Sequence, residues 1–331
     1  MNDHVFIECD AHEGCIWVPT HQRLYFSTTK KLEGKPHVEL HYLNFSHLGN
    51  LEQDNWARTA GANEIKRAKV HTALPDANMT NSMCLTGDGT ALLLAEQGDN
   101  VTPARITRFD LETGGRLTLV EEYQDKPLNS PNKVIRSKSG FVIFSDPDYG
   151  FRQGFRPPPA LEPNLYVFSE QALTATSVKG AAPATAPTIS LFRCNLEMPH
   201  GLALSEDEKL LYVTDTSADG AHDEVDLDRR RAVFRFDFDA KTGQISGPGT
   251  KGFSVDEGVP DGTITVGDLV LTGGGDGVYV ADKLLRLKGK IKLDRTAVNL
   301  CAVGPNREHL FVTADEGVYL LRDWESLVKA V

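Results

Sequence analysis

Six polar residues stand at the starts of short apolar strands in this chain: Glu13, Asn81, Asn132, His200, Asp261 and Asn299. A further carboxylate, Asp215, closes the run Leu210-Leu-Tyr-Val-Thr214. Glu13, Asn132 and Asp215 together offer two carboxylates and one amide oxygen. An oxygen-only set of this kind suits a hard divalent cation, with water in the remaining positions. Two carboxylates would balance the charge of the ion. The same groups could instead satisfy one another and water in a hydrogen-bonded channel without metal. Residue types alone leave both open.

The elements that would bring these groups together are hairpins. In Met198–Thr216, His200–Leu204 alternates as a strand, Ser205–Lys209 is polar and turn-forming, and Leu210–Thr214 is a second strand. Antiparallel pairing puts His200 and Asp215 on one rim of the sheet. The same turn-plus-strand unit recurs at Thr20–Thr28, Gly87–Glu96, Lys138–Asp146, Val266–Gly273 and Pro305–Asp315. Six units, spaced roughly 40 to 70 residues apart, signal an array built from one supersecondary motif. Most are followed by a strand of the Arg-Phe-Asp type, as in Ile106–Asp110. Four short strands per unit predict an all-β fold: a six-bladed β-propeller of four-stranded antiparallel blades around a central channel, one domain over 1–331. A solenoid fits less well, because the linkers vary too much in length to stack evenly. In a propeller the six polar strand starts converge on one face of the channel.

Composition narrows the partners. A formal net charge of −11 argues against nucleic acid and anionic membranes. No stretch reaches the roughly 18 apolar residues of a membrane span. The opening Met1-Asn2-Asp3-His4 lacks a signal pattern. Cys9, Cys15, Cys84, Cys194 and Cys301 are odd in number and lack metal-type spacing, so they read as buried free thiols of a cytoplasmic protein. Residues 217–230, with five acids and two arginines, read as a mobile surface loop. Residues 180–187 read as irregular. Gly273-Gly-Gly-Asp-Gly277 is followed by no helix pattern, which argues against a phosphate cradle.

In order and spacing, several motifs resemble the senescence marker protein/gluconolactonase family of six-bladed propellers, and within it fungal lactonohydrolase-like members. They are His12-Glu13-Gly14 with Trp17, Asn129-Ser-Pro-Asn132, Ser145-Asp-Pro-Asp-Tyr-Gly150, Gln153-Gly-Phe-Arg-Pro157, Pro199-His-Gly-Leu-Ala203, Leu211-Tyr-Val-Thr-Asp215-Thr216, Pro260-Asp-Gly262 and Gly275-Asp-Gly-Val278. The resemblance covers nearly the whole chain. It implies one divalent metal held by Glu13, Asn132 and Asp215, with Ca²⁺ expected first and Mg²⁺, Mn²⁺ or Zn²⁺ as alternatives. It implies substrate contact by Asn81. The family's usual reaction is hydrolysis of an aldonolactone or similar small cyclic ester, in which Asp215 could also serve as general base.

Three departures bear on the chemistry. The family's Asn-Asp pair is Asn132-Lys133 here, its Pro-Asn-Gly is Pro199-His200-Gly201, and the histidine after the second-unit glutamate is Gln97. An ammonium at Lys133 would weaken a neighbouring cation by like-charge repulsion. His200 could be a further ligand, a general base or a hydrogen-bonded channel histidine. Gln97 cannot shuttle a proton. The expected function is metal-dependent lactone hydrolysis, with Asn81, His200 and Lys133 toward the substrate and the protein a monomer or homodimer. A cyclase or isomerase of secondary metabolism on the same scaffold is one alternative. A non-catalytic binding propeller is the other.

Overall fold

The computed structural model describes residues 4–170, 188–217 and 231–330. Residues 180–187 and, apart from Ser217, the 217–230 stretch read as a surface loop lie outside them.

Strands dominate because each blade is sandwiched between two others. In such a strand both faces are buried, so it reads as a continuous apolar run rather than an alternation. Leu92-Leu93-Leu94 shows this. Leu93 packs between the second and third blades, whereas Leu92 and Leu94 pack between the first and second. Ile143 faces the fourth blade, whereas Val142 and Phe144 face the second. Tyr212 faces the fifth, whereas Leu211 and Val213 face the third. Each such side chain contributes about 1.5–3 kcal/mol relative to exposure. Six apolar clusters of this kind, one per pair of neighbours, close the ring.

Among the described residues the chain forms six four-stranded antiparallel sheets and one two-stranded hairpin. The innermost strands are Glu13–Val18, Thr80–Leu85, Val134–Arg136, Pro199–Leu204, Thr263–Val266 and Asn299–Val303. The second strands are Arg23–Ser27, Ala91–Glu96, Phe141–Asp146, Leu210–Asp215, Leu269–Gly274 and His309–Thr313. The fold is the six-bladed β-propeller expected from the repeat.

Closure uses the chain's beginning. The strand His4–Ala11 pairs antiparallel with Asp315–Leu321 and becomes the outermost strand of the last blade. Seam-side packing against the first blade is aromatic: the Trp17 and Phe311 rings stack with centroids 5.8 Å apart, and Phe45 stacks on Trp56 at 5.0 Å. The polar segment after the first blade's third strand forms three one-turn helices, Leu51–Asp54, Trp56–Thr59 and Ala62–Ile65, which supply Leu51, Trp56 and Ile65 to that seam. Among the described residues no helix is long and apolar enough to cross a membrane.

Candidate metal centre

The six polar strand starts meet where the sequence puts them, on one rim of the channel. Glu13, Asn81, Asn132, His200 and Asn299 are all buried, and the Asp261 side chain retains 17% exposure. The local backbone is built to aim them. In the first, second and fourth blades the inner strand carries one extra residue at its start, between Glu13 and Ile16, Thr80 and Ser82, and Pro199 and Leu202. Such a bulge bends the strand and re-aims a side chain. Gly14, after Glu13, has φ +71°, a left-handed conformation suited to glycine. Gly201, after His200, lies so close to the next blade that a Cβ there would come 2.3 Å from the Asp261 carbonyl oxygen.

Hydroxyls then clip successive blades at the level of the site. Ser27 Oγ donates to the Asn81 carbonyl at 2.9 Å, and Ser145 Oγ to the His200 carbonyl at 2.9 Å. Thr214 Oγ1 donates to the Asp261 carbonyl at 3.2 Å while accepting from Gly201 N–H at 2.7 Å. The backbones carrying Asn81, His200 and Asp261 are thus tied to the second strand of the preceding blade.

On this frame Glu13, His200 and Asp261 each offer a ligand atom, all within 4.8 Å of one another. His200 Nε2 lies 3.5 Å from Glu13 Oε1, and its Nδ1 lies 3.2 Å from Asp261 Oδ1. The second approach is close but not directed as a hydrogen bond, and both atoms remain without a hydrogen-bond partner, as does the buried Asn132 Oδ1. Glu13 Oε2 accepts from Asn299 Nδ2 at 2.7 Å, and Asn299 Oδ1 in turn accepts from Lys133 Nζ at 3.0 Å. The Tyr149 ring stands edge-on to His200 with centroids 5.6 Å apart, and its hydroxyl is hydrogen-bonded to Thr216.

The charges in this cluster are strongly interdependent. Burial opposes ionisation of Glu13, yet the His200 and His12 rings, the Lys133 ammonium and the Asn299 amide outweigh it and hold its carboxyl below the ordinary value. Burial, reinforced by the Glu13 charge, pushes Asp261 well above the ordinary carboxylate range. Burial also pushes His200 down to about 4, against the pull of Glu13. The imidazole is therefore neutral at pH 7 and keeps a lone pair to offer. Buried polar atoms without partners carry a desolvation cost that a ligand could relieve. Two carboxyls and a neutral imidazole fit a divalent cation of mixed nitrogen and oxygen preference.

The residues expected from the sequence divide. Glu13 and His200 are at this centre, and Asn132 stands just before the third blade's inner strand with its side-chain oxygen buried and unpartnered. Asn81 is beside it, with Nδ2 donating to the Asn132 carbonyl at 3.4 Å. Among the described residues Lys133 is hydrogen-bonded to the cluster through Asn299. Asp215 is not brought to the trio. Its two oxygens accept backbone N–H groups of Glu197 at 3.3 Å, Met198 at 3.4 Å and Ser217 at 3.0 Å. Asp146, at the same place in the third blade, likewise accepts from Asn129 N–H at 2.9 Å and Ser130 N–H at 2.7 Å. These acids tie down the loop that enters their own blade. The position that sequence reasoning passed over as a ligand is Asp261. Its signal was present, since Pro260-Asp261-Gly262 repeats the pattern of Pro199-His200-Gly201 one blade later.

Comparison with known proteins agrees with this architecture. A gluconolactonase of Zymomonas mobilis is 32% identical over 137 residues, covering 41% of this chain and 33% of the relative. The match thus spans about a third of that relative's length. Among solved structures, a gluconolactonase of Xanthomonas campestris superposes with TM-score 0.70 at 24% identity, over 96% of this chain and 87% of that one. A calcium-binding protein, regucalcin, of Agrobacterium tumefaciens superposes with TM-score 0.64 at 15% identity, over 96% and 92%. At these identities the structural likenesses speak for the fold alone. Residues 11–316 match the SMP-30/Gluconolactonase/LRE-like region, and the chain belongs to that family.

Proposed function

We propose that the protein hydrolyses a small lactone, an aldonolactone or a similar cyclic ester, at a divalent metal held by Glu13, His200 and Asp261. The observation that carries this reading is the convergence of those three side chains, with ligand atoms within 4.8 Å of one another and with His200 Nδ1 and Asp261 Oδ1 lacking hydrogen-bond partners. Family membership and the partial likeness to a gluconolactonase support the choice of reaction.

A divalent cation in this position supplies polarisation of the lactone carbonyl and acidification of water. The chain's own groups do the rest. Asp261, the most exposed of the trio and with Oδ1 unpartnered, would take the proton of the attacking water once a cation beside it holds its carboxyl ionised against the effect of burial. Attack on the carbonyl carbon breaks the ring C–O bond, and the departing ring oxygen collects a proton to leave a hydroxy acid. Asn81 and Asn132 border the same space and orient the ring. Lys133 stands behind them, donating to the Asn299 whose amide donates to Glu13. The imidazole of His200 makes the donor set less suited to Ca²⁺, which prefers oxygen throughout, and more suited to Mn²⁺ or Zn²⁺.

Elemental analysis of purified protein, paired with a panel of lactones followed by acid release, tests the proposal. Stoichiometric metal and loss of both metal and turnover in Asp261→Asn are expected. Full lactone turnover in thoroughly chelated protein would refute the metal's role. Absence of turnover across the panel in metal-loaded protein would refute the reaction.

A further inference from the structure

The channel has a second end. On the far side of Lys133 from the metal-ligating rim, the inner strands enclose a cavity of about 570 Å³, open to solvent at the opposite face. That volume lies within the range of pockets that hold small organic ligands. Its wall is apolar, formed by Ile16, Met83, Val134, Leu202, Ile264 and Leu300. The strand from Lys133 to Arg136 runs its length, a depth of about 10 Å.

Two features say what such a cavity would accept. First, its inner end is closed by Lys133, a buried side chain whose ammonium has three protons to donate. Among the described residues its one hydrogen bond goes to the neutral Asn299 Oδ1. A buried ammonium with a single neutral acceptor is under-satisfied, and an anion beside it would relieve that. Second, the charges at the mouth are spent on one another. Arg136 pairs with Glu170, while Lys138 and Arg307 both pair with Glu206. The mouth is therefore a polar collar without large excess of either sign, and a buried ammonium with one neutral hydrogen-bond acceptor stands at the inner end of an apolar sleeve.

We propose that this lower cavity is a second binding site, for a small organic anion with an apolar body such as a medium-chain carboxylate, its carboxylate against Lys133 and its tail toward the collar. The site is separate from the metal centre. Lys133 and Asn299 lie between them, so occupancy of one does not require the other.

Octanoate is the probe, titrated calorimetrically into the full-length protein with and without chelator. One-to-one binding that persists after chelation is expected. Lys133→Met should weaken octanoate at least tenfold while leaving octan-1-ol, which needs only the apolar wall, bound as before. Ala302→Phe, at a half-buried wall position away from the metal centre, should abolish binding of both and leave lactone turnover in place. The octan-1-ol result shows whether Lys133→Met is folded. No binding by the wild type at millimolar octanoate, loss of binding on chelation, or undiminished binding in Ala302→Phe would each overturn the proposal.

Discussion

Replacing Lys133 by Met should tighten metal binding, and the structure sets the scale. Two hydrogen bonds in series, 3.0 Å from Lys133 to Asn299 and 2.7 Å from Asn299 to Glu13, join the ammonium to the site. With the width of the amide between them, the ammonium is no more than about 8 Å from the Glu13 carboxylate, where two unit charges interact by about 2 kcal/mol at an effective dielectric of 20. A divalent ion doubles the repulsion, and its greater distance and channel water reduce it again. The net expectation is affinity about tenfold to a hundredfold higher in Lys133→Met, or about 1.4–2.8 kcal/mol. Loss of the ammonium should not release Asn299, because Asn299 Oδ1 also accepts Leu300 N–H at 2.9 Å and the amide keeps its orientation toward Glu13. Competition against a fluorescent chelator measures the change, with circular dichroism confirming the fold. Unchanged or weaker binding in a folded variant would refute the placement of the cation at Glu13, since no other position of a like charge so close could be neutral to its removal.

Asp215→Asn should retain full metal content but lower stability by about 1–3 kcal/mol, as a charged acceptor of three backbone N–H groups is lost; metal loss at unchanged melting temperature would return Asp215 to the ligand set. His200→Asn restores an all-oxygen donor set, so the ratio of dissociation constants for Ca²⁺ and Zn²⁺ should move toward Ca²⁺, and a move the other way would exclude His200 as a ligand. Stability should also depend on Asp146, whose carboxyl burial pushes up to about 7. A folded-state value above the unfolded one means that the folded protein binds the proton more tightly. The stabilisation is therefore full below about pH 4 and lost as pH rises to about 7, by as much as about 4 kcal/mol. Denaturant unfolding at a series of pH values should show this decline in the wild type and a flatter profile in Asp146→Asn; parallel profiles would contradict it.

Much of the fold was legible because the propeller repeats one solution. A turn, an inner strand with a polar start and a second strand apolar on both faces recur six times, and packing requires the same pattern each time. Leu92-Leu93-Leu94 and Val142-Ile143-Phe144 announce a strand pressed from both sides before any coordinates exist. What could not be read is where the ring closes. His4–Ala11 alternates like any strand, and nothing local says that its partner is Asp315–Leu321, some three hundred residues away. Closure is a property of the whole ring. The segment after Asn44 shows no helical pattern in the sequence, since its one-turn pieces are too short to show a period and are held by Leu51, Trp56 and Ile65 against the seam.

The site was legible in its location and not fully in its membership, and the reason is geometric. Antiparallel pairing brings the start of an inner strand and the end of the second strand to the same rim, and Pro199 is indeed the partner of Asp215. Sharing a rim does not fix which way a side chain faces. At the end of the second strand an acid meets the incoming loop, whose backbone N–H groups lie within hydrogen-bond distance, and Asp146 and Asp215 both settle there. At the start of the inner strand a side chain meets the axis, where Glu13, His200, Asp261 and Asn299 from four different blades face one another. Glu13-Gly14, His200-Gly201 and Asp261-Gly262 share a trait that Asp215-Thr216 lacks: a glycine follows the polar residue. Inner strands crowd together near the axis, and at Gly201 even a methyl would strike the neighbouring blade. The glycine therefore records proximity to the axis, and a polar residue directly before it is one that the fold points into the channel. By that criterion Asp261 belongs with Glu13 and His200, and the family's Asn-to-His change at His200 alters the chemistry of the ligand set itself rather than of a bystander.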